Sequence, residues 1–246
     1  MKLTFLGTSH GIPEKNRFCT CNMLELGGDI YIFDAGAPLT ELLTNRDIPY
    51  EKVRKLFITH CHLDHMNGME MFLRLCKWHV ADSRAEGYLP DKRVTDKINE
   101  SLQTVGQNNS NMHIKVHTYT EGLIYQDEKL TVTAIPNKHL EATGGYSFGF
   151  DVSARGKKIL FTGDLTHTME DFPEVAFSKH YDLIVTECAH ASVETLKEQL
   201  SRVKADVVAV NHIYPQSKMA EIAALDGKYE FKLLVGNDND EIEIEE

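Results

Sequence analysis

Short apolar runs recur along the chain between polar turns, which is the pattern of buried and half-buried strands. Lys2–Leu6, Asn22–Leu26 and Ile30–Phe33 are predicted strands, with Gly27-Gly28-Asp29 as a hairpin turn. Pro38–Arg46 carries a helical pattern, and Leu56–Thr59 resumes the sheet. Met66–Leu75, Asp82–Tyr88 and Asp91–Gly106 are predicted helices, and Gly106–Asn111 is a loop of turn formers. After a more polar middle the strand pattern returns at His113–Thr118, Lys129–Pro136, Gly145–Val152 and Lys158–Phe161. It continues through Asp182–Thr186, Asp206–Val210 and Phe231–Val235, with helices near Ser192–Val203 and Ser217–Leu225. Strands and helices interleave along the whole length, with no Ser/Pro-rich linker and no internal repeat. That arrangement predicts an α/β protein of two packed sheets flanked by helices, in a single domain over residues 1–246.

Composition changes this picture only in what it excludes. Hydrophobic content of 42% and charged content of 26% are ordinary for a globular protein. The formal charge of −11 argues against broad nucleic-acid binding, which rests on phosphate neutralisation by Lys and Arg. Five scattered cysteines read as reduced thiols. The N-terminus has no signal-peptide core, and no apolar stretch reaches membrane-spanning length, so a cytoplasmic location without membrane contact is expected. The acidic end, Asn237 to Glu246, with alternating isoleucines, reads as an edge strand that frays.

The candidate chemistry is concentrated in His60-Cys61-His62-Leu63-Asp64-His65, which follows the apolar run Lys55–Thr59. His60 and His62 alternate as residues at a strand's end do, so their rings point the same way. Asp64 and His65 fall where the chain turns into the next helix. Asp64 alone is explained by helix capping, but capping leaves three clustered imidazoles without a reason. Three further polar residues, His139, Asp164 and His212, each stand just after an apolar run. Taken singly, each is an ordinary turn or solvated residue.

In that order, the chain resembles the metallo-β-lactamase superfamily, whose hallmark is His-x-His-x-Asp-His followed by a His, an Asp and a final His. The resemblance runs from the first strand to the last ones. It implies a four-layer αββα sandwich and a binuclear hydrolase with two zinc ions, manganese or iron being the alternatives. It also implies that His60, His62 and His139 hold one metal, that Asp64, His65 and His212 hold the other, and that Asp164 bridges them. Two metals about 3.5–4 Å apart lower the pKa of a shared water, so a hydroxide nucleophile exists at neutral pH. Cys61 alternates away from such a site.

Phe5 to Arg17, with its Gly-Thr-x-x-Gly-x-Pro pattern, looks like the start of the phosphodiesterase branch, notably the RNase Z-like group. Glycines there let backbone approach a ligand, although a tight turn explains them equally well. His10 is a substrate-binding candidate or an exposed loop histidine. Thr186-Glu187-Cys188-Ala189-His190 is a partial match to that branch's His-Glu-Ala-Thr segment. His190 is either a general acid or the cap of the helix near Ser192, and Asp64 is the other candidate for the catalytic acid. His167 is a weaker candidate for orienting substrate. The Gly/Pro-rich insertion that forms the arm of the tRNA 3′-processing endonucleases is not found, and the charge disfavours a large polyanion.

The expected activity is therefore hydrolysis of a small phosphodiester or nucleotide, with thioester, lactone or amide hydrolysis on the same centre as the alternative. A di-iron redox protein would carry glutamate where His62 stands, and a non-catalytic relic would have lost ligands. Cys19-Thr-Cys21 lacks the second pair a structural zinc needs. A homodimer is the default assembly.

Overall fold

A computed structural model describes residues 1–104 and 113–245, so the loop predicted over Gly106–Asn111 lies outside the described residues. In chain order the elements begin β1 (Lys2–Gly7), β2 (Cys21–Leu26), β3 (Asp29–Ala35), α1 (Leu39–Thr44), β4 (Val53–Phe57) and α2 (Leu63–His79). Then come β5 (Glu86–Leu89), α3 (Lys92–Thr104), β6 (Val116–Thr118), β7 (Gly122–Gln126), β8 (Leu130–Pro136), β9 (Phe148–Ala154) and β10 (Lys157–Phe161). The remainder are α4 (Val175–Ser178), β11 (Tyr181–Cys188), α5 (Val193–Leu200), β12 (Ala205–Ile213), α6 (Lys218–Ala223), β13 (Lys232–Val235) and β14 (Glu241–Glu243). They fall into two compact units. The first holds Met1–Gly7, Phe18–Tyr119 and Asp238–Glu243, and the second holds Thr8–Arg17 and Thr120–Asn237 with the C-terminal end.

The first unit is built on a seven-stranded sheet ordered β14-β1-β2-β3-β4-β5-β6. It is antiparallel from β14 to β3 and parallel from β3 to β6. One face sends Ile30, Ile32 and Leu56 against Met69, Phe72 and Leu73 of α2 and Leu102 of α3. The other face carries Tyr31, Phe33 and Phe57, also buried, with the Phe33 and Phe57 rings stacked at 5.3 Å. A sheet buried on both faces needs near-continuous apolar strands, which is why these runs stand out in the sequence.

Two expectations are corrected here. Asp82–Tyr88 is not a helix: after α2 the chain turns, with Ser83 N–H donating to the Val80 carbonyl at 3.2 Å, and Glu86–Leu89 becomes β5. Parallel pairing of Lys55 with Glu86 and of Phe57 with Tyr88 outweighs the local helical preference. In addition, α2 begins at Leu63 rather than Met66, which puts Asp64 and His65 inside its first turn.

The second unit holds another seven-stranded sheet, ordered β13-β12-β11-β10-β9-β8-β7. Strands β10 to β13 are parallel, and β7 to β10 are antiparallel. Leu160, Ile184 and Val208 pack with Leu196 and Leu200 of α5 and Ile222 of α6. Strand β7 has no strong sequence signal because it is an edge strand with no buried side chain, and Leu123 is 61% exposed. Among the described residues, no helix is long and apolar enough to cross a membrane.

Candidate metal centre

In the first unit the chemistry starts at the end of β3. Asp34, buried and in the left-handed region at φ 58°, turns its carboxylate to Thr59 and His65. Its Oδ1 accepts the Thr59 N–H at 2.8 Å, and its Oδ2 lies 2.9 Å from His65 Nδ1. Thr59 Oγ1 donates to Asp34 at 3.0 Å and lies 3.1 Å from His60 Nδ1. A carboxylate only accepts, so His65 carries its proton on Nδ1. Because the Thr59 hydroxyl proton goes to Asp34, His60 also donates from Nδ1. Both rings thereby carry their lone-pair nitrogen at Nε2, the arrangement metal-binding histidines adopt. His60 Nε2 lies 3.0 Å from His62 Nδ1, and His65 Nε2 lies 3.7 Å from Asp64 Oδ2.

The close approach of Gly36 sets this geometry. A Cβ on Gly36 would lie 1.6 Å from the Asp64 carbonyl oxygen, so only glycine lets the Asp34 loop meet the first turn of α2. Residue His62, not Asp64, occupies the N-cap position of α2. Cys61 packs against the helix-side core, and burial pushes its thiol up to about 11, as a structural cysteine requires. None of the five cysteines is in a disulfide. Cys21 is fully buried, and among the described residues no potential metal cluster includes a cysteine.

In the second unit the strand ends converge on Asp164. His139 follows β8, Asp164 follows β10, His190 follows β11, and His212 lies near the end of β12. Asp164 is 2% exposed, and its Oδ2 has His212 Nε2 at 3.3 Å and the Nε2 atoms of His139 and His190 each at 3.8 Å. His139, Asp164 and His190 each place a ligand atom within 4.8 Å of the others, and so do His10, His190 and His212. His10 stacks on Tyr214 with ring centroids 5.0 Å apart, so it is not a solvated loop histidine.

His190 is oriented from behind by Glu187, a carboxylate that the sequence match to the His-Glu-Ala-Thr segment includes without a role. Glu187 Oε1 lies 2.9 Å from His190 Nδ1 and accepts the Leu165 N–H at 3.0 Å, while Oε2 accepts the His190 N–H at 3.1 Å. The ring thus holds its proton on Nδ1 and turns Nε2 toward Asp164. It is not the cap of α5, since Ser192 fills that role by accepting the Thr195 N–H at 3.0 Å. Asp171 ties two loops together: it accepts the Lys138 N–H at 2.9 Å and the Thr166 N–H at 3.0 Å. Asp34, Glu187 and Asp171 share the one available signal, an acid just beyond an apolar strand or in the loop after it, which turn chemistry imitates.

A cavity of about 560 Å³ opens beside this cluster, with His139 and His190 among its lining residues and Lys138, Thr166, His167, Glu141 and Glu170 around them. His167 is exposed there. The donor sets of both units, imidazole nitrogens and carboxylate oxygens, with Nδ1 of His60, His65 and His190 tied from behind, fit zinc or another borderline divalent ion.

A family model described as "Anti-Pycsar protein Apyc1" matches residues 1–232. Ribonuclease Z of Cyanothece sp. is 33% identical over 148 residues, which cover 59% of this chain and 46% of that protein. The chain spans about half the length of the curated relatives it matches. Among solved structures, human tRNase Z, short form, has a TM-score of 0.77 at 21% identity and covers 100% of both chains. The metallo-beta-lactamase fold protein YhfI from Bacillus subtilis has a TM-score of 0.76 at 15% identity, over 98% of this chain and 99% of that one. A diphosphatase from the PhnP family has a TM-score of 0.72 at 16% identity, over 99% of this chain and 98% of that one. These likenesses show the fold, an α/β sandwich of the metallo-β-lactamase type.

Proposed function

The chain belongs to the Anti-Pycsar protein Apyc1 family, within the metallo-β-lactamase superfamily and with RNase Z-like relatives, and from that premise we propose that it is a metal-dependent phosphodiesterase acting on a small phosphodiester or nucleotide. Both units are read as parts of one hydrolase domain. The observation that carries the proposal is the cluster around Asp164: a buried carboxylate faced by three imidazole Nε2 atoms, on a cavity that His139 and His190 line.

His60, His62, Asp64 and His65 of the first unit and His139, Asp164 and His212 of the second are the residues that would hold metal. Bound divalent metal would polarise the phosphoryl group and lower the pKa of water, so no serine or cysteine nucleophile is needed. His190 would carry the leaving-group proton. Protonated at Nε2, it would pass that proton to the departing alkoxide oxygen, while Glu187 holds the Nδ1 proton and stabilises the cationic ring. Lys138 and His167 would meet the ends of the substrate at the cavity's rim.

A cavity of about 560 Å³ is the size of small-molecule sites, and its rim mixes Lys138 with Glu141 and Glu170 rather than forming a basic groove. Both features favour a small ester, such as a cyclic nucleotide or a phosphoribosyl compound, over tRNA. Zinc-loaded protein should cleave bis(p-nitrophenyl) phosphate and a panel of small nucleotide diesters, and leave a tRNA precursor, lactones and thioesters untouched. Activity confined to the carbon esters would sink the assignment, and efficient cleavage of the tRNA precursor would overturn the substrate class.

A further inference from the structure

The loop Thr8–Arg17 holds a partly buried charge pair that the chemistry above does not use. The side chains of Arg17 and Glu14 are 6% and 13% exposed and meet through Nη1 and Oε2. Arg17 Nη2 donates to the Thr8 carbonyl at 2.6 Å, and Nη1 donates to the Ile213 carbonyl at 3.1 Å. Glu14 Oε1 accepts the Gln216 N–H at 3.0 Å, and Oε2 accepts the Ser9 hydroxyl at 3.2 Å. Arg17 and Glu14, in the second half of the loop, are therefore tied to Ile213 and Gln216 in the stretch that follows His212.

That is a strained stretch of backbone. His212 has φ 46°, a left-handed conformation that a side chain disfavours and that persists only when its surroundings fix it. The ladder between β11 and β12 also shifts register there, pairing Glu187 with Asn211 and then Cys188 with Ile213. The same loop sets His10 with its ring 5.3 Å from that of His212. A buried ion pair is poor evidence of stability, since apolar replacements are often as good, but its fixed hydrogen bonds suit it to specifying one conformation.

We propose that Arg17 and Glu14 are positioning residues, whose hydrogen-bonded ion pair holds His212 in its left-handed conformation beside Asp164 and so preforms His212 and Asp164 for a divalent cation. The inference rests on the metal-hydrolase reading, but its test reads metal retention rather than turnover.

Wild type, Arg17→Met, Arg17→Lys and Glu14→Gln would be loaded with zinc, and zinc per chain followed during timed exposure to EDTA. Leu196→Ala, a core change in α5, serves as the control that lowers thermal stability without touching the loop. Arg17→Met and Glu14→Gln should lose part of their zinc faster than wild type, with an affinity for it about 10- to 100-fold weaker, the range found when groups behind metal ligands are removed. Arg17→Lys should fall between, and Leu196→Ala should match wild type. Wild-type zinc retention in Arg17→Met and Glu14→Gln would overturn the proposal, and so would equal loss from Leu196→Ala at the same Tm. If Arg17→Met does not fold, Glu14→Gln and Arg17→Lys carry the same comparison. Wild-type protein that binds no zinc would bring down the metal-hydrolase reading and this inference with it. Zinc binding without phosphodiester cleavage would bring down only the functional reading.

Discussion

Asp164 is 2% exposed, and a carboxylate so buried remains ionised only if cations or strong donors face it. Its neighbours are His139, His190 and His212, whose Nε2 atoms stand where a cation beside it would be held. Asp164→Ala is therefore expected to lower bound zinc and reduce turnover by more than about a hundredfold while circular dichroism stays native. Full activity in that variant would remove Asp164 from the centre. Glu187 acts one step back. Glu187→Gln keeps the shape but weakens the hold on His190 Nδ1, so kcat should fall about 10- to 100-fold on substrates with an alkoxide leaving group. The loss should shrink with p-nitrophenolate, which departs without a proton, and an equal loss on both would refute the proton-donor role. At this scale the run His60–His65 was legible because its four potential ligands fall within six residues. Asp34 was not, because an acid after a strand is usually a turn residue, and although Glu187 matched a family segment, only the folded chain shows which ring either acid faces.

Element boundaries depend on contacts between elements, and α2 shows this most sharply. A Cβ on Gly68 would sit 2.2 Å from the Ala37 carbonyl oxygen and 2.9 Å from that of Ala35, so α2 presses directly on the chain between β3 and α1. Gly68→Ala is expected to cost about 1–3 kcal/mol by forcing those elements apart, read as a lower urea midpoint. Across β4, β5 and β6, Glu86 pairs with Lys55 and lies 3.2 Å from His117. Burial alone would raise the Glu86 pKa, but hydrogen bonds from His117 and Lys55 outweigh it and hold the carboxyl at about 2, against an ordinary 4.5. A depressed value means the stabilisation is complete above about pH 4.5 and is lost as pH falls through about 2. In Glu86→Gln this contribution should vanish, so the gap in Tm from wild type should narrow as pH falls through that window; a gap that stays constant would show the pair contributes nothing. The same pairing made β5 out of a segment whose sequence suggests a helix, because the partner strand is distant in the chain. Strands such as β3 and β11, buried over most of their length, were legible without it.

For the whole molecule, ligand binding to the native state alone adds about 2.7 kcal/mol at a metal concentration a hundredfold above Kd. Chelation should therefore lower Tm by about 5–10 °C in a chain of this size, and re-added zinc should restore it. An unchanged Tm would mean the cluster binds no metal with useful affinity. The formal charge of −11 makes bound cations the most direct way for a phosphodiester to be attracted to the site. By itself the sequence determined that there are two strand-rich sets, that His60 to His65 gather four potential ligands, and which superfamily these residues resemble. Each of these is written in local spacing or in residue order. Tertiary structure alone decided that Asp34 backs His65 and Glu187 backs His190, and that Arg17 and Glu14 reach the residues after His212. It also set the cavity beside His190. Those relations depend on where each strand ends and what it pairs with, and pairing joins segments far apart in the chain, so no local pattern records it.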